Sequence, residues 1–147
     1  MEEAKTLIEQ IAEWHGNDGH HLIVHAILTL SETERTSELI GLMARAYNNM
    51  NQYAKAEELL MSIPEVDRGS AWHYRLSYAY FYSKRVEEAR VEIQRALEIE
   101  PDDQFSLDFA AYIERFAPQK QDKQAFADTE DVDAMNTIRA SRPKRRM

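Results

Sequence analysis

The chain has 147 residues, 26 acidic and 18 basic, with a formal net charge of −8 and no cysteine. Its length suits one domain of about three helical pairs. The charge excludes general binding to nucleic-acid phosphates, and the lack of thiols excludes disulfides, thiol catalysis and cysteine metal sites. Only four Gly and four Pro stand among many Glu, Ala, Leu and Arg, a composition that favours an all-α fold. No apolar run is long enough to span a bilayer. The acidic start, Met1 to Lys5, lacks the apolar core of a signal peptide, so a cytoplasmic location is expected.

The first predicted helix covers Glu2 to Trp14, with Leu7, Ile8, Ile11 and Trp14 on one face. His15-Gly16-Asn17-Asp18-Gly19 breaks it. A second helix, His20 to Leu30, is apolar almost all round and so belongs between other helices. The two make a helical hairpin over residues 1–35. His21 and His25 lie one helical turn apart on one face, as in zinc-binding pairs. No Glu follows His21, so the metalloprotease arrangement is absent, and a third ligand would have to come from the loop bearing His15, Asp18 and His20. Ordinary, partly exposed histidines are the competing reading, and no cofactor or metal is expected. No Gly-rich phosphate loop, nucleophile elbow or paired-carboxylate motif appears, so the chain is not read as an enzyme.

Ser31-x2-Glu34 has capping-box spacing, and Thr36 or Ser37 also suits a helix start. That helix runs to about Met50; Asn48 to Asn51 turns the chain, and Ala54 to Met61 is a short helix ended by Pro64. Asp67 to Ser70 leads into a central pair of helices joined at Ser83-Lys84-Arg85. Leu76, Ala79 and Tyr80 form an apolar stripe on the first; Val86, Ala89, Ile93, Ala96 and Leu97 form the facing stripe on the second. Ala89 and Ala96 are small enough for close backbone approach, and Pro101 stops the helix. Asp102 and Asp103 suit the N-terminus of a further helix, Gln104 to about Phe116, without a matching partner; residues 102–117 thus read as a capping helix. Residues 118–147 read as a polar tail. It holds a marginal short helix with Val132, Met135 and Ile138 on one side, and a basic tip from Arg139 to Arg146.

The motif Leu76-Ser77-x2-Tyr80, Ala89-x3-Ile93-x2-Ala96, Pro101 resembles the tetratricopeptide repeat. Met43-Ala44-x2-Tyr47, Tyr53-x2-Ala56-x3-Leu60, Pro64 resembles it again. The interval from Tyr47 to Tyr80 equals that from Ala56 to Ala89, so the two units are in register. Trp72 stands one place before the family's usual Trp, Ser77 at its Gly and Ile93 at its Phe. The resemblance implies a short right-handed α-solenoid of about seven helices. Residues 36–101 would form two helix pairs and residues 1–35 a degenerate repeat. It also implies that the first helix of each unit lines a groove gripping a peptide or partner helix.

A second stripe on the central helix fills that expectation with residues. Tyr74, Tyr78, Phe81 and Tyr82 lie at i, i+4, i+7 and i+8, Phe105, Phe109 and Tyr112 continue them on the next helix, and Arg45, Asn48, Asn49 and Arg75 flank them. Tyr and Arg anchor interfaces because they bury area and still offer a polar tip. On this reading the aromatics receive an apolar side chain of a protein or peptide and Arg45 and Arg75 hold a carboxylate. The alternative is that the aromatics pack between neighbouring helices as core. The carboxylate clamp of some family members does not transfer, because Gly41 and Arg45 stand where it needs Lys and Asn, and Arg75 replaces an Asn. Self-association into a homo-oligomer, and docking of the tail in the groove, remain open alongside.

Overall fold

The computed structural model describes residues 5–117, which fold into seven α-helices with no strand among them. They are α1 (Leu7–Gly16), α2 (His20–Leu28), α3 (Ser37–Asn49), α4 (Tyr53–Met61), α5 (Ser70–Tyr82), α6 (Val86–Ile99) and α7 (Gln104–Phe116). Side-chain caps set several starts. Thr6 accepts from Glu9 N at 3.1 Å, Thr36 from Leu39 N at 3.2 Å, and Asp103 from Ser106 N at 3.1 Å. Helix α1 therefore begins after the Thr6 cap rather than at Glu2. Ser31 and Glu34 do hydrogen-bond, at 3.2 Å from Ser31 N, but they close a single 3₁₀ turn (Glu32–Glu34), and Thr36 starts α3. Helix α2 ends at Leu28, short of Leu30. There Arg35 donates to the Leu28 and Leu30 carbonyls at 3.1 and 2.9 Å, satisfying acceptors that a longer helix would have used.

The backbone repeats itself at one fixed interval through all three hairpins. Asp18, Asn51 and Lys84, evenly spaced along the chain, each take a left-handed conformation, with φ of 58°, 62° and 67°. Each is followed by an N–H that reaches back to the end of the preceding helix: Gly19 to Trp14 O, Gln52 to Tyr47 O, and Arg85 to Tyr80 O, at 2.7, 2.9 and 2.9 Å. A left-handed residue with a side chain costs about 1–2 kcal/mol, so the packing of each hairpin has to hold it. The same period governs the links between hairpins. Arg68 donates to Ile63 O and Met61 O, as Arg35 does one period earlier, and a 3₁₀ turn (Glu65–Asp67) matches Glu32–Glu34.

Packing follows the register. Ile23, Ala56 and Ala89 occupy one buried layer, and Ile27, Leu60 and Ile93 the next, each one period from its neighbour. Ala at 56 and 89 lets the second helices approach the first closely, and Ser77 Oγ donates to Ala89 O at 2.7 Å across the contact. The Trp72 indole N–H donates to Leu60 O at 2.7 Å and ties α5 to the end of α4. The core around α1–α3 and the core around α4–α7 are bridged by Tyr47 and Leu59, which touch both. Arg85 joins Glu57 of α4 at 2.9 and 3.0 Å and also pairs with Glu88, but these groups are partly exposed and contribute little. No helix among the described residues is long and apolar enough to cross a membrane.

Leu60 is fully buried in the core shared by α4, α5 and α6. Leu60→Ala is expected to lower the unfolding free energy of the full chain by about 2–5 kcal/mol in urea denaturation, with the far-ultraviolet helix signal of the native state kept.

Candidate binding site

Helix α5 packs against α3, α4 and α6, ring contacts join it to α7, and eight of its residues are buried. Its two apolar stripes are therefore drawn into core, except at Tyr74, which is only partly buried. Leu76, Ala79 and Tyr80 face the hairpin core, as their spacing predicts. The second stripe is covered by α7. Tyr78 and Phe81 lie 5.4 and 5.9 Å from the Phe109 ring, and Phe81 lies 5.5 Å from Tyr112. The hydroxyls of Tyr82 and Tyr112 hydrogen-bond at 3.1 Å, and Tyr53 of α4 stacks on Tyr82 from the other side at 5.6 Å. The expectation of an open, tyrosine-lined groove is thus corrected at Tyr78, Phe81, Tyr82 and Phe109, all less than a tenth exposed. The capping helix offers a continuous aromatic face, and tilted and edge-on ring contacts favour closing on it over leaving it wet. Asn48 is likewise an internal bracket: fully buried, it donates to Arg75 O at 3.1 Å and holds α3 to α5. Asn49 and Tyr112 are half-buried; the Asn49 amide atoms are buried without a hydrogen-bond partner.

What stays open lies beside this core, along the first helices of the hairpins. A pocket of about 380 Å³ is lined by His15, Arg45, Tyr74, Arg75 and Phe105, with Ser70 and Ala71 in its wall and Glu100 and Asp103 in the α6–α7 turn. Four of the predicted residues therefore meet: Arg45 from α3, Tyr74 and Arg75 from α5, and Phe105 from α7. Phe105 is 74% exposed, an unusual state for a large aromatic side chain. Sequence reasoning named His15 only as a possible metal ligand and missed its place in the pocket; its register equivalents Asn48 and Phe81 are buried, so the repeat period gives no signal for it.

The electrostatics of the pocket are unbalanced. Arg85, Arg90 and Arg95 each pair with a glutamate. Arg45 and Arg75 have no ion pair or side-chain hydrogen bond among the described residues, and Arg45 Nε is buried without a partner. Burial pushes the Arg75 guanidinium down to about 10, with the Arg45 charge adding to the effect, and burial lowers Arg45 as well. Both remain protonated at neutral pH, held partly out of water, with Glu38 and then Tyr74 offsetting only part of the effect on Arg75. Burial, reinforced by Asp103 and Asp108, raises the Tyr74 phenol, so it stays neutral. Gly41 makes room for this arrangement. A Cβ at Gly41 would meet Arg75 Nη1 at 2.8 Å, so the absence of a side chain lets the guanidinium lie against α3. A glycine inside a helix costs about 1 kcal/mol relative to alanine, so this room is maintained against helix propensity.

The geometry of α5 and α6, with their shared alanine contact, left-handed turn and terminal Pro101, coincides with a sequence match. The profile of the tetratricopeptide repeat aligns with residues 70–103. The chain contains a tetratricopeptide repeat. Tetratricopeptide repeats are helical hairpins that stack into solenoids and mediate protein–protein interaction. No curated protein and no solved structure matches the chain significantly. Outside the repeat, His21 and His25 are exposed on α2, and no group of three or more metal-ligating side chains comes together among the described residues. The tail segment with Val132, Met135 and Ile138, and the basic tip, lie outside the described residues.

Because Tyr78 is core, Tyr78→Ala is expected to destabilise the full chain by about 3 kcal/mol or more in thermal or urea unfolding. A loss below about 0.5 kcal/mol, the range of ordinary surface substitutions, would return Tyr78 to the surface.

Proposed function

We propose that the chain is a non-catalytic interaction module that holds an acidic segment of a partner protein in the Arg45–Arg75 pocket. The observation that carries the reading is the pair of part-buried guanidiniums without counter-ions at the mouth of an open pocket. A charge held out of water and unpaired is costly, and a partner's carboxylate relieves that cost at both arginines. The planar guanidiniums offer forked donors suited to a carboxylate. Tyr74 and exposed Phe105 supply adjoining apolar area for a neighbouring aliphatic or aromatic side chain. The reading is supported by the lining of the pocket, which draws on the first helices α1, α3 and α5 and on α7, the helices that the repeat resemblance implies would face a partner.

The test uses fluorescein-labelled decapeptides rich in Asp and Glu with one Leu or Phe, against versions carrying Asn and Gln instead, read by fluorescence anisotropy. The acidic peptides are expected to bind, and their amide versions to bind at least about tenfold more weakly, which is about 1.4 kcal/mol. Arg45→Gln and Arg75→Gln should each weaken the acidic peptides by about tenfold or more while the unfolding temperature is kept or raised, since each removes an uncompensated charge. Gly41→Ala should also weaken binding, by displacing Arg75, while improving helix propensity by about 1 kcal/mol. Equal binding of the acidic and amide peptides would sink the reading.

A further inference from the structure

We infer that His15 is a third anion-binding residue of this pocket, and that its imidazole takes up a proton as the acidic segment docks, so that binding tightens as the pH falls. The inference rests on the proposed reading of the pocket as an acceptor of carboxylates. Its own basis is the position of His15. The residue sits in the last turn of α1 and is the pocket-lining residue that the first hairpin supplies. Its Nδ1 is buried and has no hydrogen-bond partner, so one edge of the ring is a donor or acceptor site without an occupant inside the protein.

The groups around it set the sign. From α3 and α5 it faces Arg45 and Arg75, both positive; from α2 it meets the His20 ring at 5.6 Å; from its own turn Asp18 approaches. Asp18 is turned mainly to solvent and lies 3.6 Å from His20 Nε2. Glu100 and Asp103 also line the pocket, with Asp103 engaged as the α7 cap, and Glu38 acts on Arg75. In the empty pocket burial, then Arg45, His20 and Arg75, lower the basicity of His15, and Asp18 offsets this only in part. The imidazole is therefore neutral at about pH 7.5, above the ordinary histidine range. A carboxylate seated between the arginines cancels their repulsion and adds an attraction, and the negative end of the α1 dipole then also favours the imidazolium. The folded, empty protein resists the proton; the liganded protein accepts it. Binding and protonation are linked, so each strengthens the other.

The experiment measures the affinity of the full chain for the acidic decapeptides at pH 7.5 and pH 5.5 at one ionic strength. Ordinary Asp and Glu side chains stay ionised over this range, so the peptide does not supply the change. Affinity is expected to rise about fivefold or more at pH 5.5, with net proton uptake on binding when calorimetry is run in two buffers of different ionisation enthalpy. His15→Gln should bind at pH 7.5 and lose the rise, whereas His21→Gln, at an exposed site on α2, should keep it. Binding of equal strength at both pH values overturns the role of His15 alone, and so does a rise that persists in His15→Gln. No binding at either pH overturns the pocket reading and this inference with it.

Discussion

The contact between α5 and α7 decides which surface the protein leaves open. Helix α5 carries aromatic residues on a face that an incomplete stack would expose, and α7 answers with Phe109 and Tyr112. Once the rings of Tyr78, Phe81, Phe109 and Tyr112 close on one another, the stripe that the spacing offers to a partner is withdrawn from water and fixed. The α5–α7 seam becomes an extension of the hairpin core, with Ile113 and Ala117 buried at its far end. The aromatic area available to a partner then lies to one side of the seam, where Tyr74 is only half-covered and Phe105 projects from the start of α7.

That boundary gives the two arginines their significance. Elsewhere on the described surface the acidic excess provides partners for Arg85, Arg90 and Arg95, and those pairs serve helix–helix seams or neighbouring turns. Arg35 and Arg68 serve the backbone instead, bracing the links between hairpins. Arg45 and Arg75 do neither. They sit in a chain of net charge −8 without an acid in pairing distance among the described residues, and Gly41 yields the space that Arg75 occupies. Stability alone favours neither an unpaired, part-buried cation nor a glycine within a helix. The binding role proposed for the pocket would account for both at once.

Much of the repeat was legible in the residues. The equal spacing of Tyr47 and Tyr80, and of Ala56 and Ala89, states a period, and small residues at a close crossing with a helix-stopping proline state a hairpin. The sequence match over residues 70–103 and the seven helices agree with that reading. The first hairpin was harder to read because it lacks the Tyr and Ala signature. Its register emerges in backbone geometry, in a left-handed Asp18 placed one period before Asn51. The ends of α1 and α2 moved because Thr6 and Arg35 satisfy backbone groups that hydrophobic spacing does not report.

Read by itself, the chain determined the helices, their pairing into hairpins and the residue types fit for an interface, because these follow from short-range periodicity and from side-chain chemistry. Which aromatic residues are interior and which are open was decided only by tertiary structure. Tyr74 and Tyr78 are one helical turn apart on the same stripe, and nothing in their spacing separates them. Where α7 crosses α5 determines that Tyr78 is sealed and Tyr74 is left at a pocket rim. The same holds for His15, which lies one hairpin before Arg45 and two before Arg75 along the chain. Only the stacking of three hairpins brings their side chains into one cavity, because the distance across a solenoid is set by helix packing and not by separation along the chain.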